Sequence, residues 1–106
     1  MKFVFLFHGG IAPQSEGEKY IQAFRSWTGE LAQKGILKGG LPLARSGKIV
    51  SQNAVESFQL SQESVSGYAE VEVASLDEAI EIAKGCPSIQ YGGKVEVRDL
   101  MNMPGM

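Results

Sequence analysis

The opening segment Lys2-Phe3-Val4-Phe5-Leu6-Phe7-His8 constrains the fold more than any other stretch of the chain. Side chains alternate across a strand, so Phe3, Phe5 and Phe7 share one face while Val4, Leu6 and His8 share the other. Both faces are apolar up to the final histidine. Such a strand belongs in the middle of a sheet, with cover on both sides, and Gly9-Gly10 ends it. Only five apolar residues run before His8, too few for the core of an export signal or for a membrane span. The expected location is therefore the cytoplasm, away from membranes.

The remaining elements follow from periodicity and punctuation. Ser15 followed by Glu18 has the spacing of a capping box, and Tyr20, Phe24, Trp27 and Leu31 recur at helical intervals, so a helix is predicted over residues 16–34. Lys34 suits the negative end of that helix and Gly35 supplies a left-handed stop. Residues 36–58 are broken by glycine and proline and read as a hairpin with one clear strand near 47–52. The polar stretch 51–66 reads as loop, apart from a short strand or turn around Phe58.

Residues 67–73 alternate, with Ala69, Val71 and Val73 opposite Tyr68, Glu70 and Glu72, which predicts a strand with one dry and one polar face. Ser75 with Glu78 forms a second capping box. Leu76, Ala79, Ile80 and Ala83 make the apolar stripe of a second helix that stops at Lys84, Gly85 and Pro87. Lys94 to Asp99 alternates again and forms the last strand. The order strand, helix, hairpin strand, strand, helix, strand is the split βαβ arrangement, an α+β ferredoxin-like sandwich with an antiparallel sheet and both helices on one face. Residues 1–100 are expected to form a single domain and 101–106 a C-terminal tail.

Two helices cover one face of a four-stranded sheet, so the other face, with Val4 and Leu6 at its centre, needs another cover. A two-fold related copy is the commonest solution, and a homodimer enclosing a polar chamber is the expectation. At 106 residues the chain buries roughly two thirds of its unfolded surface, which leaves pairing useful. Ten basic residues are scattered among twelve acidic ones for a net charge of −2, without the basic stripe that nucleic acid or anionic lipid requires. Cys86 is the only cysteine, so neither an intrachain disulfide nor a cysteine-based zinc site can form. No metal or cofactor is expected.

His8 is the only histidine and stands where a strand meets Gly9-Gly10, whose backbone can approach a ligand closely. It is the candidate acid–base group. Gly9-Gly10 opens no phosphate-binding motif. Arg98 and Arg45 each offer a planar fork for a carboxylate, although Arg98 also has strand glutamates to pair with and Arg45 sits at a turn. Tyr68 and Tyr91 could present hydroxyls to a pocket. Cys86 has no base beside it in sequence and reads as a packed small hydrophobe, and Phe24 and Trp27 read as core.

Several segments together resemble the YCII-related, or DGPF-domain, family: the opening Met1-Lys2-Phe3-Val4-Phe5-Leu6-Phe7-His8-Gly9, Gly67-Tyr68, Ser75-Leu76-Asp77-Glu78-Ala79, Gly85-Cys86-Pro87 and Gly93-Lys94-Val95-Glu96-Val97-Arg98. The resemblance runs nearly end to end. It implies a fold of the dimeric α+β barrel group and a suggested active-site pair, a first-strand histidine with the aspartate of the D-G-P-F motif. His8 takes the histidine's place. Val55-Glu56-Ser57-Phe58 stands where D-G-P-F would, so only Phe58 matches, and Glu56 is the nearest carboxylate, one position away. If that segment is extended, this shift turns the side chain to the opposite face.

Two functions remain. One is binding or transformation of a small molecule in an inter-subunit cleft, with His8 as acid–base or hydrogen-bonding group and Gly9, Glu56, Tyr68 and Arg98 around the ligand. The other is a non-catalytic dimerisation or ligand-sensing module, which the missing motif aspartate favours. The residues leave open whether the chain is an enzyme.

Overall fold

The computed structural model describes residues 1–101, and the expected tail, from residue 102 on, lies outside them. Strands β1 (Lys2–His8), β2 (Leu37–Pro42), β5 (Val65–Glu72) and β6 (Lys94–Asp99) form an antiparallel sheet in the order β2-β5-β1-β6. Strands β3 (Lys48–Val50) and β4 (Val55–Ser57) pair only with each other. Helices α1 (Gly17–Gln33) and α2 (Leu76–Ala83) complete the α+β fold.

β1 is central, as its two-sided apolarity requires. Phe3 and Phe5 are wholly excluded from solvent and Phe7 nearly so. Phe5 stacks on Trp27 of α1 with ring centroids 6.3 Å apart, while Phe7 meets Phe24 edge-on at 5.4 Å and Trp27 at 6.0 Å. Such aromatic pairs contribute about 0.5–1.5 kcal/mol each beyond the area they bury. Ala69, Val71 and Val73 of β5 extend this core on the helix side, with Val95 and Val97 of β6 packed against it.

Helix α1 stops as expected: Gly35 takes φ +73, its N–H donates to the Ala32 carbonyl at 3.0 Å, and the Ile36 N–H donates to Leu31 at 2.9 Å. Its start differs from the capping-box expectation. Residues Gln14–Glu16 form a single 3-10 turn after Pro13, so Ser15 lies inside the helical run instead of flanking it, and the helix begins without a side-chain cap. The second box does form. The Glu78 N–H donates to Ser75 Oγ at 3.2 Å, and the Glu78 carboxylate accepts from the Ala74 N–H at 3.1 Å.

Two other expectations are corrected. The sheet strand after α1 is residues 37–42, not 47–52. Gly39, Gly40 and Pro42 disguise it, because two adjacent glycines interrupt the alternation, while an edge position tolerates both residue types. The 47–52 region instead forms one arm of the small β3–β4 hairpin, and β4 interrupts the stretch read as loop. In α2, Ala79 and Ala83 face the core while Leu76 and Ile80 remain 46% and 37% exposed, so the apolar stripe is narrower than it looked. The small residues are the ones that allow the helix to approach the sheet closely.

On the helix-free face Leu6 lies opposite Tyr68 on one side and Glu96 on the other, and Leu41 extends that row beyond Tyr68. Val4 sits between Glu70 and Arg98 in the next row. Leu41 is 64% and Tyr68 36% exposed in the single chain.

Replacing Ser75 with Ala removes a formed cap and should lower unfolding free energy by about 1 kcal/mol in urea titration. Gly29, inside α1 with nothing within 4 Å of an added Cβ, behaves oppositely. Gly29→Ala should stabilise by about 0.5–1 kcal/mol in the same titration.

Candidate functional site

The end of β1 is shaped by a bulge. Phe7 pairs with Gly67 but His8 pairs with Val65, leaving Ser66 as the extra residue, and such irregularities re-aim nearby side chains. The Ser66 hydroxyl lies 3.2 Å from both the Phe7 and Gly9 carbonyls. The Gly9 N–H donates to Ser64 at 2.9 Å, and the Gly10 N–H donates to the Gln62 side-chain carbonyl at 2.9 Å. Both glycines have positive φ, +63 and +67. A Cβ at Gly9 would lie 2.2 Å from the Gln62 carbonyl oxygen, and one at Gly10 2.6 Å from Ser88 Cβ. Close approach of two other segments therefore fixes the glycine pair.

His8 leaves this corner on the helix-free face with its side chain 26% exposed, and its Nε2 lies 2.7 Å from Glu96 Oε1. A carboxylate only accepts, so the hydrogen of that bond is on Nε2, and whenever the ring is neutral its other nitrogen, Nδ1, carries the lone pair. The Glu63 carbonyl oxygen is 3.5 Å from Nδ1, too long for a strong bond. Glu96 is held from its other side by Arg98, whose Nε is 3.7 Å from Oε2. His8, Glu96 and Arg98 thus form one polar line along the free face. A carboxylate that fixes one imidazole nitrogen and leaves the other available is an arrangement suited to proton transfer.

Of the residues singled out from the sequence, His8 and Arg98 are brought together through Glu96. Tyr68 shares their face, two strands from Glu96. Gly9 turns the chain beside His8. Glu56 is in the centre of β4, opposite Ile49 and exposed, in a hairpin with no ladder to the main sheet. It does not join the line. Glu96 is the residue that sequence reasoning passed over. It sits between Lys94 and Arg98 on an alternating strand, but only the β1–β6 register, His8 against Lys94, shows that this carboxylate is the one within reach.

On the opposite, helix-bearing side a cavity of about 690 Å³ opens between the first half of α1, β2 and the turn after it. Gly9 and Tyr68 border it, whereas His8, Glu56 and Arg98 do not. Tyr20 on its wall is packed edge-on to Tyr91 at 5.4 Å. Burial, followed by proximity to Cys86 and Tyr91, pushes the Tyr20 hydroxyl pKa above its ordinary value. Cys86 is buried with its Sγ 3.1 Å from Ser88 Oγ. Burial raises its thiol pKa despite the opposing Ser88 contact, which agrees with its reading as a packed hydrophobe. Among the described residues no cluster of three metal-ligating side chains forms.

Residues 1–104 match the YCII-related domain. The chain belongs to the YCII-related domain family. Among solved structures it is similar to 5-chloro-2-hydroxyhydroquinone dehydrochlorinase (TftG) from Burkholderia phenoliruptrix AC1100, in complex with 2,5-dihydroxybenzoquinone. The TM-score is 0.59 at 14% identity, over 97% of this chain and 96% of that one. At this identity the likeness establishes a shared α+β barrel-type fold. A comparison with curated proteins finds no match. No helix of the described residues is long and apolar enough to cross a membrane.

The raised Cys86 thiol gives a signed pH dependence. Its contribution to stability is complete below the ordinary thiol pKa and is lost as pH rises through the raised folded value, because the unfolded chain ionises first. Urea titrations across that alkaline range should show a steeper loss for the wild type than for Cys86→Ala. At pH 8 iodoacetamide should label the folded protein far more slowly than the urea-unfolded one.

Proposed function

We propose that this YCII-related domain binds or transforms a small molecule in a cleft formed when two copies stack their helix-free faces, with His8 as the acid–base or hydrogen-bonding group. Residues 1–100 act as a single domain in this reading. The contact between His8 and Glu96 at 2.7 Å carries it, because a working imidazole requires a partner that sets its tautomer and orientation. Arg98, beside Glu96, supplies a cation at the same place, and Tyr68 a hydroxyl on the same face. Glu96 in this reading fills the orienting position that the motif aspartate would have held.

Pairing is supported by the free face itself. Val4 and Leu6 are only half-buried there, and Leu41 and Tyr68 are more exposed still. Burying it against an identical face follows two-fold symmetry, and the polar line at its margin then lines a shared cleft.

Two measurements test the proposal. Light scattering should give a particle of twice 11.4 kDa, and Leu6→Glu, which places a charge at the centre of the contact, should give a monomer. Thermal shift against hydroxylated quinones and phenols, 2,5-dihydroxybenzoquinone among them, should find a compound that stabilises the wild type. That stabilisation should vanish in His8→Ala and fall in Glu96→Gln. Undiminished binding and turnover in His8→Ala would contradict the assignment, and binding that survives without turnover would leave a sensing module.

A further inference from the structure

The cavity on the helix-bearing side is a second concave site, separate from the His8 line. It owes its existence to β2. Beneath the first half of α1 this strand presents Gly40, opposite Ala69, so at that point no side chain rises from the sheet edge into the space between Leu37 and Pro42. Gly40 cannot be exchanged for a filling residue, since its φ is +147 and an added Cβ would stand 2.4 Å from the Tyr68 carbonyl oxygen. The gap is therefore built into the backbone. Its size falls within the range of small-molecule sites, about 300–1,000 Å³.

The chemistry of its wall is one-sided. Phe7, Tyr20 and Phe24 form an aromatic flank in which adjacent rings lie 5.4 and 5.9 Å apart. Ile11, Leu43 and Leu60 add aliphatic surface. Arg25 from α1 and Arg45 from the turn after β2 are the charged residues of the wall, and no Asp or Glu lines it. Among the described residues neither arginine is ion-paired, the ion pairs being those of His8, Lys34, Lys84 and Arg98. In a chain of net charge −2 this is a local reversal of sign at the mouth of an apolar pocket.

We propose that this cavity binds an aromatic carboxylate, with the ring against Phe7, Tyr20 and Phe24 and the anionic group held by Arg25 and Arg45. A guanidinium offers two parallel N–H donors to a carboxylate, and flat rings pack edge-on against an aromatic flank without rearranging it. This assignment is independent of the role given to His8.

Isothermal titration of the full chain with 2-naphthoate tests it, with methyl 2-naphthoate and decanoate as comparison ligands. Naphthoate should bind, its neutral ester about tenfold or more weakly, and the double variant Arg25→Gln/Arg45→Gln should lose affinity by a similar factor, as expected for charge-assisted hydrogen bonds. Both arginines are exposed, so that variant retains the fold.

Gly17 lines the cavity at the start of α1 with an ordinary helical φ of −57 and nothing within 4 Å of an added Cβ. Gly17→Leu should therefore block the site without lowering the melting temperature. His8→Ala should leave naphthoate affinity unchanged, so failure of this site and failure of the His8 reading register on different variants.

The proposal is overturned if naphthoate does not bind at millimolar concentration, if ester and acid bind alike, or if decanoate binds more tightly than naphthoate. Full affinity in the double arginine variant would also overturn it, as would naphthoate binding confined to the Leu6→Glu variant, which would mean that a second copy fills the cavity.

Discussion

Everything in the molecule is arranged about the interlock between β1 and α1. Three phenylalanines at every second position of β1 present a continuous aromatic edge, and Phe24 and Trp27, one helical turn apart on α1, close on it. That contact fixes the height and direction of the helix over the sheet. It also settles which side of β1 faces inward, because a one-residue slip would exchange three phenylalanines for Val4, Leu6 and His8. Placement of β5 and β6 on either side of β1 then follows, each strand bringing its small or branched residues to the inner face.

The same commitment determines what the outer face can be. With the aromatic side consumed by the helices, Val4, Leu6 and His8 are left facing away, and the polar alternations of β5 and β6 flank them. The free face grades from apolar at its centre to a histidine–carboxylate–arginine line at one end. A single chain has no use for the centre, whereas the end is chemically capable, and this division supports a paired assembly with its chemistry at the margin. At the far edge, β2 presents Gly40 to the helix side, which is left incompletely filled there.

Sequence pattern revealed the parts of this design that rest on local repetition. The strands at 2–8, 67–73 and 94–99 and both helices announce themselves through periods of two and 3.6, and the Gly35 and Ser75 boundaries through the chemistry of helix ends. The element without side-chain rhythm escaped: Leu37-Lys38-Gly39-Gly40-Leu41-Pro42 pairs through its main chain, and nothing in its side chains advertises that. The pairing of His8 with Glu96 escaped for another reason. Each is visible as a candidate polar group, but 88 residues separate them, and their meeting depends on a register that no local pattern encodes. The family resemblance pointed to Glu56 for a carboxylate, and the structure places Glu56 in a separate hairpin.

The turn that follows His8 has one more consequence. Gly10 and Gly93 are packed so closely that a Cβ on Gly93 would lie 2.8 Å from Gly10 Cα and equally near the Ser88 carbonyl oxygen, with the Gly93 N–H donating to that same carbonyl at 3.0 Å. Two segments distant in sequence, the turn after β1 and residues 88–93, are clasped there backbone to backbone. The imidazole is thus carried by a turn anchored through main-chain packing, a mounting with less freedom than a loop held by its side chains alone.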